Sequence, residues 1–343
     1  MRIAVDAMGS DAAPEPEVRG AVEASLTSPD TEIVLVGDET RLREILDTLP
    51  TRNNVSVVHA TERVSMDDSP MVAVRKKKDS SLLVGLRLVK EGKADAFLSA
   101  GNTGAVMLGA RVILGSIEGV ARSAICQILP STTTPFVLLD IGANVDCTAR
   151  HLCEFAEMGS VFSQLTLGVK SPSVGLLNIG EEQAKGNEVA KAVHQTLTAS
   201  EHINFIGNIE PKAMFAGKAD VVVCDGFVGN MILKTTESVA ALVKTMIEHE
   251  LRASLISKIG ALLSLGAFAR LRKKTDPNER TGAPLLGVNG IVIIAHGSCT
   301  ARGIANAILG AKHEFEFGLT EHIREGIAAL RASVDLSPPG TGA

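Results

Sequence analysis

Apolar residues fall in short, β-branched runs separated by stretches of helical spacing. The runs lie at residues 2–6, 32–36, 55–58, 94–98, 124–129, 136–141, 174–178, 203–206, 221–224 and 291–295. Most are apolar at consecutive positions rather than alternating ones, the pattern of strands covered on both faces. Between them, residues 40–49, 71–91, 181–197 and 230–251 place apolar side chains at helical spacing. Strands alternating with helices predict an α/β fold with a mostly parallel sheet. No repeat or flexible linker interrupts this order. Residues 1–333 therefore read as a single large α/β domain, in one body or two lobes, and residues 334–343 as a frayed tail.

Residues 251–275 break the pattern. They carry Arg252, Lys258, Arg270, Arg272, Lys273 and Lys274 and no acid, together with Ile259, Leu262, Leu263, Leu265, Phe268 and Leu271. On one continuous helix Phe268 falls opposite the face of Ile259, Leu262 and Leu263. Gly260 and Gly266 weaken such a helix further, so two short helices around a hairpin fit better.

Composition narrows the function. With 45% hydrophobic and 21% charged residues the chain is globular rather than disordered. A formal charge of −5 argues against a general nucleic-acid binder, and 3% aromatics, with no Tyr or Trp, leave no base-stacking platform. Five cysteines without repeated spacing make no disulfide framework, and no His or Cys pair has zinc spacing. The N-terminus meets an acid at Asp6 instead of a signal-peptide core. No window reaches the roughly 18 uncharged apolar residues of a membrane span, so the expected location is the cytoplasm.

Ligands of open parallel sheets bind beyond the carboxyl ends of the strands. Five runs end in loops that set glycine beside Asn, Ser, Thr, Lys or His: 99–104, 142–144, 178–187, 225–234 and 296–298. Glycine lets backbone N–H groups approach an anion, and a following helix N-terminus favours phosphate. Asn and Thr add neutral donors, and Lys185 and Lys234 add charge. One such loop is ordinary turn chemistry; five together point to an anion site. His296 is the histidine that stands at a strand end in such a loop. Asp6 fits either a loop-satisfying polar residue or a site carboxylate, and the cysteines fit small buried hydrophobes. Arg75, Lys76, Lys77 and Lys78 fit a solvated helix face or a dock for an acidic partner. No dinucleotide fingerprint, nucleoside-triphosphate loop or serine elbow is present.

The same strand ends carry a family resemblance. The segments AVDAMGSD (4–11), RKKKDSS (75–81), SAGNTGA (99–105), LLDIGANVDC (138–147), FAEMGSV (155–161), GLLNIGEEQAKGNE (175–188), NFIGNIE (204–210), DVVVCDGFVGNMILK (220–234) and GAPLLGVNGIVIIAHGS (282–298) occur in order along almost the whole chain. Together they resemble the acyl-ACP:phosphate acyltransferases, the PlsX family of bacterial phospholipid synthesis. Departures are local: Ser10 stands where the family usually has a second glycine, Ala121-Arg122-Ser123 replaces Asp-Arg-Pro, Thr281 replaces a glycine and Cys299 a serine.

The resemblance implies a three-layer αβα fold like that of phosphate acetyltransferases and isopropylmalate dehydrogenases, and a homodimer. It implies transfer of a fatty acyl group from acyl carrier protein to inorganic phosphate, with no cofactor and no metal. The acyl phosphate would then pass to a membrane glycerol-3-phosphate acyltransferase. On this reading Asn102, Thr103, Gly104, Asn144, Asn187, Asp225, Asn230, Lys234 and Ser298 hold phosphate or substrate. Lys185 neutralises developing charge, with Lys234 second to it, and His296 stands by the leaving thiolate. Arg75–Lys78 would dock the acidic carrier, and Leu262, Leu263, Leu265 and Phe268 would either dip into an anionic membrane surface or pack in the dimer interface. Two alternatives stay open at this point: an NAD-dependent acid dehydrogenase of the same fold, and a non-catalytic carrier or membrane scaffold.

Overall fold

The computed structural model describes residues 1–50, 54–268 and 282–334. Eleven strands form one sheet among these residues: β1 (Arg2–Asp6), β2 (Glu32–Gly37), β3 (Val55–His59), β4 (Ala96–Ser99), β5 (Ala124–Leu129), β6 (Phe136–Leu139), β7 (Val174–Leu177), β8 (Phe205–Ile209), β9 (Val221–Val223), β10 (Ala283–Leu286) and β11 (Ile291–Ile294). Their spatial order is β3-β2-β1-β4-β11-β10-β5-β6-β9-β7-β8. The pairings of β10 with β11, β10 with β5 and β5 with β6 are antiparallel; the other seven are parallel.

The consecutive apolar runs behave as their pattern dictates. Alternate residues of each strand face opposite layers, so a strand covered twice must be apolar throughout. Ile3 and Val5 pack with Ile33, Leu35, Leu98 and Ile293 in one core, while Ala4 joins Val34, Phe97 and Val292 in the other. Helices α1 (Glu15–Thr27), α2 (Glu39–Leu46), α3 (Pro70–Lys76), α4 (Ser81–Lys90), α5 (Thr103–Ile113), α6 (Ala149–Leu167), α7 (Glu188–Thr198) and α8 (Pro211–Phe215) cover the two faces. They are followed by α9 (Gly226–Arg252), α10 (Leu255–Leu263), α11 (Ala301–Glu316) and α12 (Leu319–Ser333). Helices on both faces of a mostly parallel sheet are the three-layer α/β arrangement expected.

Several boundaries differ from the sequence expectation. Strand β10 was not among the expected runs: Pro284, which lacks a ladder donor, masks it, although all four of its residues are buried. The stretch 71–91 is two helices, because Asp79 is held by Thr61 and Glu62 and the chain restarts at Ser80. The stretch 181–197 becomes helical only at Glu188, after Gly186 takes a left-handed turn at φ +91°. Strand β8 lies at Phe205–Ile209 rather than 203–206. In the basic–apolar segment, α9 ends at Arg252 and Ser254 caps α10 through the Ser257 N–H, which begins the expected hairpin. Residues 269–275, with Arg270, Leu271, Arg272, Lys273 and Lys274, lie outside the described residues, as does the tail from residue 335.

Candidate active site

Strand direction sorts the glycine loops into two clusters. Three antiparallel pairings stand between β11 and β6, so the strands from β6 to β8 run opposite to those from β3 to β11. The expectation of five convergent strand ends is corrected accordingly. One cluster follows β1, β4 and β11; the other follows β6, β9 and β7.

In the first cluster Asp6 is the buried hub. Its carboxylate accepts the Ser81 hydroxyl at 2.6 Å, the Ser99 hydroxyl at 2.7 Å and the Met8 N–H at 3.3 Å. Burial pushes its pKa up, and these bonds pull it back. Ser99 in turn accepts the Gly101 N–H at 3.0 Å. Glycine is required at position 9, where a Cβ would lie 2.9 Å from both the Gly101 nitrogen and an Asp6 oxygen. The Asp11 N–H donates to the Gly297 carbonyl at 2.9 Å, which ties the β1 loop to the β11 loop. In that loop the Ser298 N–H donates to His296 Nδ1 at 3.2 Å, and the Ser298 hydroxyl lies 2.8 Å from the same nitrogen. With Nδ1 accepting, the neutral ring carries its proton on Nε2, at an exposed position.

Asn102 does not offer its side chain to a ligand. It caps α5 by accepting the Ala105 N–H at 3.0 Å, and its amide donates to the carbonyls of Ser65, Met66 and Asp68. Thr103 is exposed and Gly104 half-buried at the helix start. Within the basic run, Lys77 turns inward to Asp68 at 2.5 Å and to the Arg63 carbonyl, while Arg75, Lys76 and Lys78 remain exposed.

The second cluster is built on Asp140. One carboxylate oxygen accepts the N–H groups of Ile125, Gly142 and Ala143; the other accepts the Asn144 N–H at 2.7 Å and its side-chain amide at 2.9 Å. Asn144 also donates to the Ser123 carbonyl, so it is buried structure. Helix α9 starts hard against this loop: the Gly226 N–H donates to the Asn144 carbonyl, and a Cβ at Gly229 would fall 1.9 Å from the Asp140 carbonyl oxygen. Asp225 caps α9 through the Val228 N–H at 2.8 Å, and Asn187 caps α7 through the Ala190 N–H at 2.9 Å. Asn230 is exposed and faces Gly142. Lys234 pairs with Glu237 at 2.9 Å, the local pairing that its place one turn beyond Asn230 allows.

Lys185 is different. Its backbone closes the 178–187 loop, with its N–H on the Glu182 carbonyl and its carbonyl on the Asn178 amide. Among the described residues its exposed ammonium has no ion pair. Ser81 and Asp140 are the organising residues that sequence reasoning passed over. For Asp140, a carboxylate directly after a strand and two residues before the start of Gly-x-Asn is the available signal, because Asp accepts the N–H groups of its own turn.

These loops, laced by buried carboxylates and opening helices, sit on a three-layer α/β fold shared with solved phosphotransacylases. The fold matches a phosphotransacetylase from Streptococcus pyogenes with a TM-score of 0.63 at 18% identity, covering 91% of this chain and 94% of that one. It also matches a branched-chain phosphotransacylase from Enterococcus faecalis (TM-score 0.56, 15% identity, 92% and 99% covered). A 4-hydroxythreonine-4-phosphate dehydrogenase from Klebsiella pneumoniae shares it too (TM-score 0.53, 14% identity, 92% and 97% covered), so fold alone does not fix the reaction. Sequence is more specific. The chain belongs to the family described as fatty acid synthesis protein, which it matches over residues 1–321. It is 46% identical over 330 residues to a phosphate acyltransferase of Thermoanaerobacter pseudethanolicus, covering 96% of this chain and 98% of the relative. It is 48% identical over 308 residues to that of Moorella thermoacetica, covering 90% of each.

Proposed function

We propose that the chain transfers a fatty acyl group from an acyl-carrier-protein thioester to inorganic phosphate, giving acyl phosphate and the free carrier thiol. The observation that carries direct transfer is the state of the cysteines. Burial pushes the Cys147 and Cys153 thiols up to about 12 and Cys299 up to about 11, and drives Cys126 and Cys224 well above the ordinary value. None is a ready thiolate, so phosphate, already a nucleophile, attacks the thioester carbonyl itself. A carbon–oxygen bond to phosphate forms, the carbon–sulfur bond breaks, and the thiolate takes up a proton.

In this reading phosphate sits at the start of α5, where the Thr103 and Gly104 N–H groups precede the helical ladder. The Thr103 hydroxyl and His296 Nε2–H add donors there; Lys185 belongs to the other cluster, so the developing oxyanion at this site is met by these donors. Asn102, Asn144, Asn187 and Asp225 shape the loops. The His296–Ser298 contact favours one second reading, an acyl-serine intermediate; it requires ping-pong kinetics, whereas direct transfer requires both substrates bound together.

Partners follow from the surface. The chain is acidic overall, so an acidic carrier needs a local basic patch, and Arg75, Lys76 and Lys78 supply one. Helix α9 buries only Gly226 and Gly229 and exposes Val239, Leu242, Val243, Met246 and Ile247, a stripe suited to a second copy in a homodimer. Helix α10 buries nothing and exposes Leu262 by 66% and Leu263 by 83%, with Leu265 just beyond at 58%. No helix among the described residues is long and apolar enough to cross a membrane, so this arm suits reversible contact with anionic lipid. There, acyl phosphate meets a membrane glycerol-3-phosphate acyltransferase. The test is incubation with acyl carrier thioester and phosphate: free thiol and acyl phosphate appear together. Thiol release that ignores phosphate, or a nicotinamide-dependent absorbance change with a hydroxy acid, overturns the proposal.

A further inference from the structure

We infer that Met66, Met71 and Val72 form the strip on which the fatty acyl chain of the carrier thioester lies while its carbonyl meets phosphate. The inference rests on the proposed reaction at the start of α5 and adds to it a subsite for a long apolar chain.

All three side chains are exposed. An exposed apolar residue standing alone needs no explanation, but these three stand together beside the first cluster. The turn that carries Met66 is fixed to that cluster from two sides. On one, the Asn102 amide donates to the carbonyls of Ser65, Met66 and Asp68 at 3.2, 3.0 and 2.9 Å, while its oxygen caps α5. On the other, the Met66 methyl packs on Gly297, where a Cβ would lie 2.7 Å from it. Met66 therefore spans from the start of α5 to the loop of His296, the two sources of donors for phosphate. The strip continues into α3. Pro70 packs on Gly104, where a Cβ would lie 2.6 Å from its ring, and Met71 and Val72 follow on the first turn. Lys77, just past the end of α3, pairs with Asp68 at 2.5 Å and ties the helix back to the same turn.

Position, charge and chemistry agree on the occupant. Transfer requires the thioester carbonyl in contact with phosphate, so the chain on that carbonyl must leave along whatever surface borders the start of α5. That surface is apolar here, and the unbranched thioethers of Met66 and Met71 adapt to a flexible chain without a fixed pocket shape. The strip also shares α3 with the basic run: Arg75 and Lys76 are exposed in its last turn and Lys78 just beyond. An acidic carrier held on those cations brings its thioester in over α3, with Met71 and Val72 between the carrier and phosphate. Helix α9, which begins the other exposed apolar stripe, starts in the second cluster instead. Open on its outer side, the strip favours long chains over short ones without a wall that rejects the longest.

The test is a variant combining Met66→Ser, Met71→Ser and Val72→Ser, beside one with Leu at the same three positions. The side chains are exposed, so both variants should unfold within the range of surface substitutions. The readout is kcat/KM for a palmitoyl-carrier thioester divided by that for a butyryl-carrier thioester, in which changes in phosphate or carrier binding cancel. That ratio is expected to fall about tenfold or more in the Ser variant and to stay within about twofold of wild type in the Leu variant. An unchanged ratio in the Ser variant overturns the strip, and so does an equal fall in the Leu variant. A second arm needs no catalysis: the full chain is titrated with cis-parinaric acid, a fluorescent fatty acid. Wild type and the Leu variant should bind it, and the Ser variant about tenfold more weakly or less. Equal uptake by wild type and the Ser variant overturns the inference. Loss of uptake on Leu262→Glu with Leu263→Glu, and not on the Ser substitutions, places the chain on α10 and overturns it as well. Absence of phosphate-dependent thiol release in the wild type is a failure of the proposed function alone, and the fatty-acid titration separates it from a failure of the strip.

Discussion

The Asp140 carboxylate holds Asn144 twice, through its backbone N–H at 2.7 Å and its side-chain amide at 2.9 Å. That double hold, with three further N–H groups on the other oxygen, keeps the loop beneath the start of α9 in one shape. Asp140→Ala leaves five donor bonds unmade in a buried place. We expect a stability loss on the order of 3 kcal/mol in urea unfolding, together with turnover at least about tenfold lower, as expected when a positioning contact is lost. Full turnover in the folded variant would detach this loop from the reaction.

Lys185→Ala probes charge stabilisation without disturbing the loop, since the bonds from position 185 are made by backbone. The unfolding midpoint should stay within the range of surface substitutions. With phosphate at the start of α5 and Lys185 in the other loop cluster, turnover at saturating phosphate should stay near wild type. A fall on the order of a hundredfold, the usual cost of losing one stabiliser of a developing oxyanion, would move the chemistry to the second cluster.

Within the basic run, residues divide by exposure. Reversing Arg75, Lys76 and Lys78 to Glu should raise the KM for acyl carrier several-fold at low salt and less at high salt, with kcat nearly intact. Lys77→Ala should act on stability, because Lys77 holds Asp68 beneath the Asn102 bonds. Salt-independent kinetics in the triple reversal would make this run a solvated face.

The α10 arm gives a binary outcome. Replacing Leu262 and Leu263 together with Glu should abolish co-sedimentation with anionic vesicles while gel filtration still reports a dimer. Dissociation into single chains would place these side chains in the subunit interface, and unchanged vesicle binding would end the membrane role.

Glu314 sets a pH dependence of stability. It lies on α11 beside a small cavity lined by Leu285, Leu286, Val288 and Ile323, with one oxygen unpartnered, and burial pushes its pKa up to about 8. An unfolded glutamate ionises near its ordinary value, so the folded form is penalised progressively as pH rises toward 8. Glu314→Gln should therefore gain thermal stability relative to wild type from pH 5 to about pH 8.5, and then level off. A difference that does not move with pH would show that the carboxyl is already ionised in the fold.

The layered fold was legible because period and burial agree: strands buried on both faces have no polar positions to confuse the reading. Strand β10 was not, since Pro284 reads as a breaker until Ile293 and Ile125 are seen on either side of the strand. The candidate site was half legible. Repeated Asn or Asp at strand ends looked like ligand chemistry because turns do not need those residues each time. Helix N-caps do need them. Asn102, Asn187 and Asp225 each cap the helix that follows, so the amide count measured how many strands lead straight into helices. Lys185 and His296 are exposed at the loop positions the sequence singles out, whereas the Ser10–Glu17 contact spans a turn that no periodicity describes.

The reversal of strand direction has a consequence for synthesis. Strand β11 inserts between β4 and β10, although roughly half of the chain, including every strand from β5 to β9, emerges between β4 and β11. A nascent chain can complete the β6–β9 half from contiguous residues, but β4 keeps a bare edge until the ribosome has delivered residues 291–294. The Asp11–Gly297 tie forms later still. Anything that halts translation or clips the chain before β11 thus yields a product with one finished half and two adhesive strand edges, on β4 and on β10 or β5, so abundance of the working protein should depend on chaperone supply more steeply than its folded stability suggests.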